Sequence, residues 1–240
     1  VMNTDNMTIS GETIDYGPCA FMDKYDPETV FSSIDHQGRY AYFNQPGITK
    51  WNLSRFAETL VPLINEDENK AIEIANEIIN NFDELYKKSW FLMMRNKLGL
   101  LGEETKDENL ISDLLKWMKQ NNADYTNTFC SIMNPDIKKD KIFQNSNFIN
   151  WFKSWENRIY QNNKSKDSSL NLMQKNNPLV IPRNHMVEKI LEAASNEGNL
   201  KPLNDMLKYL KKPYETQPGI SDFQNTPALN GKKHITFCGT

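Results

Sequence analysis

From Trp51 onward the apolar positions fall into stripes with helical period. Trp51, Phe56, Leu60, Leu63 and Ile64 lie close to one face, and Ala71, Ile74, Ala75, Ile78, Ile79, Phe82, Leu85 and Tyr86 make a second such face, which predicts two amphipathic helices. Leu110, Ile111, Leu114, Leu115 and Met118 repeat the signature, and Thr105-Lys-Asp-Glu108 ahead of them has capping-box spacing. Phe148, Trp151, Phe152, Trp155 and Ile159 make an aromatic stripe, which predicts core rather than a ligand platform. Polar residues then take over, and Gln161 to Ser169 contains no apolar residue, so this stretch is expected to be a surface connection. Pro178 and Pro182 bracket Leu179-Val-Ile181; beyond them Val187, Ile190, Leu191 and Ala194 predict a helix stopped at Gly198. Leu203, Met206, Leu207 and Leu210 predict one more before Pro213, and the remainder to Thr240 is rich in Pro, Gly and Asn.

The first fifty residues have a different pattern. Met7-Thr-Ile9 and Thr13-Ile14 read as two brief strands rich in β-branched residues, with Ser10-Gly-Glu12 turning between them. Residues 18 to 50, punctuated by Pro18, Pro27, Gly38, Pro46 and Gly47, do not read as helix. The expected fold is therefore mostly α with a small β-hairpin. Closing that hairpin brings Asn6 and Asp15 within reach of one hard cation, and an amide and a carboxylate oxygen are donors that Mg²⁺ accepts. Asp5 would then face a hydroxyl approaching the phosphates. His36 suggests a general base near that entrance; the preferred alternative is that His36 and Arg39 pair with acids to fix the loop.

Composition narrows the function classes. Of 240 residues 38% are apolar and 11% aromatic, enough for a buried core. Twenty-eight basic against 31 acidic side chains give a formal charge of −3, so there is no bulk positive field for nucleic acid or for an anionic membrane. No run approaches a membrane-spanning length, and the first residues lack a basic-then-apolar signal pattern. Cys19, Cys130 and Cys238 are odd in number and widely spaced, which suits neither a disulfide framework nor a zinc site; a reducing cytoplasm is the expected setting.

Longer wording carries a resemblance. Asp15-Tyr-Gly17 stands where a protein kinase has Asp-Phe-Gly, and Asp5-Asn6 stands where it has its catalytic-loop Asp and Asn. Asn3-Thr-Asp-Asn6, Ile14-Asp-Tyr-Gly-Pro18, Phe21-Met-Asp23, His36-Gln-Gly-Arg-Tyr40, Asn44-Gln-Pro46 and Trp51-Asn-Leu53 follow in order. Lys97-Leu-Gly99, Asp124-Tyr-Thr126, Asn177-Pro178, Pro182-Arg-Asn-His185 and a terminal Cys238 continue the series. That succession resembles the selenoprotein O family, SelO, called YdiU in bacteria.

The resemblance implies the C-terminal lobe of a protein-kinase-like (pseudokinase) fold that binds ATP in an inverted orientation. It implies transfer of AMP to Ser, Thr or Tyr hydroxyls of protein substrates, with release of pyrophosphate. By position, Asp5 resembles the family's proton acceptor, and Asn6 and Asp15 its Mg²⁺ or Mn²⁺ ligands, with Asp15 also at the nucleotide. UMP transfer from UTP is a variant, and a catalytically silent pseudokinase or helical interaction module is the reading from another class. In this frame residues 1–50 hold the catalytic hairpin, the Asp-Tyr-Gly site and an activation-like segment, 51–212 a helical lobe, and 213–240 an extended tail. The chain begins at Val1, inside a catalytic loop, without the Gly-rich loop or the strand Lys and helix Glu of kinase-like folds. An N-terminal nucleotide-binding lobe is thus expected to be missing, and the 240 residues alone are expected to be inactive. The setting implied is bacterial cytoplasm, or the mitochondrion in a eukaryote. The family also implies redox control through Cys238; Cys19 is the one cysteine in the activation-like segment, and it is expected either to bridge to Cys238 or to sit buried beside Phe21.

Overall fold

The computed structural model describes residues 1–12, 20–161 and 165–227. Cys19, Asp15 and Cys238 lie outside them, as does the second expected strand, Thr13-Ile14. The chain divides into two compact units: Val1–Cys19, Pro27–Trp90 and Ile235–Thr240 form the first, and Ala20–Asp26 with Phe91–His234 the second. Among the described residues the regular structure is helical, with one isolated bridge between Lys24 and Asp124 and no sheet. None of the described helices is long and apolar enough to cross a membrane.

The hairpin expectation is corrected in its first half. Met7 and Thr8 are irregular rather than a strand, and a turn sits at Ile9 and Ser10, closed by the Gly11 N–H donating to the Thr8 carbonyl at 3.1 Å. The Thr8 hydroxyl also donates to the Glu12 carbonyl at 2.9 Å, so the side chain takes up a backbone group that a ladder would have used.

In the first unit α1 (Gln45–Ile64) packs on α2 (Glu68–Asn80). Helix α1 starts six residues before Trp51 because Pro46 occupies its first turn, where a missing N–H costs nothing and the fixed φ favours the helix. Pro62 lies in its last turn, and the helix ends at Ile64. Asp67 caps α2 by accepting from the N–H groups of Asn69 (3.1 Å) and Lys70 (3.4 Å). The second expected stripe is split at Asn81, beyond which α3 (Phe82–Lys97) begins, and the division between units falls within α3. Few large side chains are buried here: α1 buries Asn52, and α2 buries Ala71 and Ala75.

The second unit is organised by α4 (Asp107–Asn121) against α6 (Ser146–Tyr160). Trp117, Phe143, Phe148, Trp151, Phe152 and Trp155 run through its core with ring centroids 4.7 to 6.5 Å apart. Each buried indole N–H has an acceptor: Trp151 donates to the Leu110 carbonyl and Trp155 to the Leu98 carbonyl, both at 2.8 Å. The expected capping box is not used. Helix α4 starts at Asp107, whose fully buried carboxylate instead accepts from Arg158 at 2.7 and 3.1 Å and from the Glu104 N–H at 3.0 Å.

Two helices were not expected, α5 (Tyr125–Ile132) and α7 (Lys166–Asn176). The second replaces part of the predicted surface connection, because Ser165 caps it and Ser169 and Met173 pack beneath Gly99. Gly99 has φ +67, and a Cβ there would meet the Ser169 carbonyl at 2.6 Å, so this close approach requires glycine. Helix α8 (Asn184–Glu197) ends, as predicted, at a left-handed Gly198, and α9 (Lys201–Leu210) contributes Tyr209 to a smaller core with Val180 and Ile220.

Candidate metal and nucleotide site

Asp5 and Asn6 sit on a single 3-10 turn, Thr4–Asn6, in the first unit. The turn is short, so its position depends on what grips it. The Asn6 amide donates from Nδ2 to the Val1 carbonyl at 2.8 Å, and its own N–H donates to the Asn3 carbonyl at 3.1 Å. Asn52, buried on α1, donates from Nδ2 to the Met2 carbonyl and to the Met7 sulfur, both at 2.8 Å, and so holds the chain on either side of the turn. The Tyr40 hydroxyl donates to Asn3 Oδ1. Sequence reasoning placed Asn52 and Tyr40 in motifs but assigned them no role; their partners are 37 to 50 residues away in the chain.

This arrangement leaves two oxygen-bearing side chains exposed. With Nδ2 committed to Val1, Asn6 Oδ1 accepts no hydrogen bond among the described residues, and the neighbouring Asp5 carboxylate is exposed. Among the described residues no three His, Cys, Asp or Glu side chains cluster as a metal site. An amide oxygen beside a carboxylate, both hard donors, fits Mg²⁺ or Mn²⁺, and Asp15 would have to complete the set. Beside the turn lies a cavity of about 470 Å³ lined by Thr4, Met7, Thr8, Asn52, Leu53 and Phe56, among others, large enough for part of a small ligand or one bulky side chain.

The nearby loop differs from expectation in one respect. Arg39 and His36 make no ion pair with an acid among the described residues; the Arg39 guanidinium lies over the Trp51 ring, 5.1 Å from its centroid, and over Tyr40 at 5.7 Å. Asp35 fixes the loop through backbone instead, accepting from the N–H groups of Arg39 and Tyr40, each at 2.9 Å.

In the second unit burial pushes the Cys130 thiol up to about 11, and its Sγ donates to the Pro178 carbonyl at 3.4 Å, so it is a poor thiolate source. Burial also lowers Lys97 to about 8, with Nζ 4.4 Å from the Phe129 ring centroid.

Comparison with known proteins bears on all of these residues. The family described as protein adenylyltransferase SelO matches residues 1–211. Over all 240 residues the chain is 53% identical to protein nucleotidyltransferase YdiU of Pelagibacter ubique, of which it covers 50%. It is 52% identical to the protein of the same name from Alkaliphilus metalliredigens and 50% identical to that from Nitrosococcus oceani, covering 49% of each. The chain therefore spans about half the length of the curated relatives it matches. On that match, Asp5, Asn6, Asn52 and Arg183 all fall within the family region, and the chain belongs to the SelO family.

Proposed function

We propose that this chain carries the catalytic and metal-binding residues of a protein nucleotidyltransferase that moves AMP from ATP to Ser, Thr or Tyr hydroxyls of proteins. The observation that carries the reading is the exposed Asn6 amide, held by its nitrogen so that its oxygen is left without a hydrogen-bond donor among the described residues, next in sequence to the exposed Asp5 carboxylate. Asp5 takes the proton of the acceptor hydroxyl as its oxygen attacks the α-phosphorus; the bond to the β-phosphate oxygen breaks, and pyrophosphate leaves with the electron pair. Asn6 and Asp15 would hold Mg²⁺ or Mn²⁺ against the phosphates. When bound, that ion neutralises charge developing on the phosphorus and the leaving group. Asn52 and Tyr40 keep the turn in place, so that Asp5 and Asn6 need little reordering when substrate arrives.

Within this reading residues 1–50 form the catalytic part, 51–212 the helical lobe and 213–240 a tail, and the 240 residues alone transfer little AMP. The relatives' name, nucleotidyltransferase, is broader than the family description, adenylyltransferase, so UTP is tested beside ATP. The roles separate in a polypeptide of the relatives' full length that contains this chain. Asp15→Ala abolishes metal-dependent nucleotide binding, whereas Asp5→Ala spares binding and slows transfer. Equal loss of affinity in both variants would make Asp5 a ligand instead. Protein-partner binding indifferent to Asp15→Ala, with no nucleotide binding in the wild type, would favour an interaction module.

A further inference from the structure

The His36-Gln-Gly-Arg-Tyr40 stretch takes no part in the chemistry above, yet in the first unit it helps to wall a pocket of about 340 Å³ whose lining includes Val1, Ser32, Asp35, His36, Arg39 and Tyr40. Two of these residues tie the pocket to the candidate site. The Val1 carbonyl accepts from Asn6 Nδ2 at 2.8 Å, and the Tyr40 hydroxyl donates to Oδ1 of Asn3, the residue before the Thr4–Asn6 turn. Pocket and turn are thus neighbours within one compact unit.

The charges in the lining are not paired with one another. Arg39 makes no ion pair among the described residues; its guanidinium lies over the rings of Trp51 and Tyr40, 5.1 and 5.7 Å from their centroids. Packing on ring faces orients the planar fork before any ligand arrives and leaves its N–H groups to bond at the edge. Asp35 does not answer it: Oδ1 accepts from the Arg39 backbone N–H and Oδ2 from the Tyr40 backbone N–H, each at 2.9 Å, so this carboxylate serves its own loop. Ser32 is 4% exposed, and its hydroxyl has no hydrogen-bond partner among the described residues. A buried hydroxyl left unpaired costs free energy that an arriving oxygen acceptor removes.

A pre-oriented guanidinium, an unpaired hydroxyl and the exposed His36 imidazole suit an oxyanion. Asp35 selects among oxyanions, because a fixed negative charge in the lining opposes the multiple charges of a phosphate chain more than the single charge of a carboxylate. We propose that this pocket takes an Asp or Glu side chain of the acceptor protein, flanking the hydroxyl that receives the nucleotide, so that Arg39 and Ser32 select acidic acceptor sequences. This rests on the reading of the chain as part of a protein nucleotidyltransferase and adds the class of acceptor. A carboxylate held equally before and during transfer lowers KM and leaves kcat alone.

The test uses a polypeptide of the relatives' full length that contains this chain, with Mn²⁺, ATP, a protein acceptor and a set of Ser peptides that differ only in a Glu or Gln placed at successive positions around the serine. At a preferred position Glu should lower KM roughly tenfold against Gln, with kcat unchanged. Arg39→Gln should abolish that preference. Arg39→Lys, which keeps the charge and loses the fork, should retain part of it, and Arg39→Glu should move the preference to a peptide with Lys at the same position. Mn²⁺-dependent nucleotide binding should be equal in wild type and Arg39→Gln. Peptide transfer without a preference for Glu, a preference that Arg39→Gln leaves intact, or labelling of the protein acceptor and of no Glu peptide each overturns this proposal alone. So does a loss of nucleotide affinity in Arg39→Gln, which would assign the pocket to phosphates. A wild type that labels neither peptides nor protein overturns the parent reading and this one with it.

Discussion

The two units bury their apolar residues very differently. In the second, Trp117, Phe148, Trp151 and Trp155 are at most 6% exposed, and the polar groups among them are paired. In the first, α1 and α2 bury one Asn and two Ala, while Phe56, Leu63, Ile78 and Leu85 remain 39 to 80% exposed. An apolar groove of about 310 Å³ runs between Leu53, Phe56, Leu60, Ile78, Ile79 and Phe82. The candidate site lies in this first, thinly packed unit. The contrast teaches that local stability and the candidate site are separated here: the aromatic core supports the fold, and the Thr4–Asn6 turn is held by a few directed hydrogen bonds.

The sharpest break of that contrast is at the buried ion pair. Asp107→Asn leaves the Arg158 guanidinium without its counter-charge, and loss of about 3–5 kcal/mol is expected in urea unfolding of the chain. A loss under about 1 kcal/mol would show that water reaches this pair and that the second unit is looser than described.

A paired truncation measures the difference directly. Trp155→Ala removes a fully packed indole and its bond to Leu98, for an expected loss of about 3–5 kcal/mol. Phe56→Ala removes a ring already 39% exposed, for an expected loss of about 1 kcal/mol or less in the same 240-residue chain. Equal losses would erase the distinction between the units.

A smaller effect depends on pH. The folded chain holds Lys97 at about 8, below an ordinary lysine, so the unfolded state binds more protons above that value, and stability should rise as pH climbs through about 8. Cys130 has the opposite sign. Its folded value of about 11 lies above an ordinary thiol, so once pH passes roughly 8.5 the unfolded state loses protons that the folded state keeps, and stability falls. The two groups therefore oppose each other in the alkaline range, the Lys97 contribution rising as pH passes about 8 and the Cys130 contribution falling at higher pH. Lys97→Met should remove the rise from the urea midpoint and leave a decline in the alkaline range; a midpoint that still rises in that variant would assign the rise to other groups.

Much of the second unit was legible because its signal is dense. The stripe from Phe148 to Ile159 lies within the helix it predicted, and Gly198 stops α8 where expected. Helix α5 escaped because its buried face includes Thr126 and Thr128, whose polarity masks the period, and because its cap is Asp124 rather than an apolar landmark. Helix α7 escaped because its buried positions are Ser169 and Met173, and Gly99 is what makes room for them. Pro46 was read as a break when it is a start.

At the candidate site, motif order singled out Asp5 and Asn6, which share one short turn with the Asn6 nitrogen bonded to the Val1 carbonyl. The grips of Asn52 and Tyr40 were not, since they depend on residues far along the chain. Among the described residues Arg39 makes no ion pair and stacks on Trp51, a choice between partners that spacing alone does not make.

The central claim, nucleotidyl transfer at Asp5, Asn6 and Asp15, is tested most directly by following the label of ATP marked on its α-phosphate. A polypeptide of the relatives' full length that contains this chain is incubated with Mn²⁺ and a protein acceptor, beside its Asp5→Ala and Asp15→Ala variants. The account predicts label joined to protein hydroxyls with equimolar pyrophosphate, lost in Asp15→Ala and slowed about 10²-fold or more in Asp5→Ala. Release of ADP with the γ-phosphate on protein, or transfer undiminished in both variants, would contradict it.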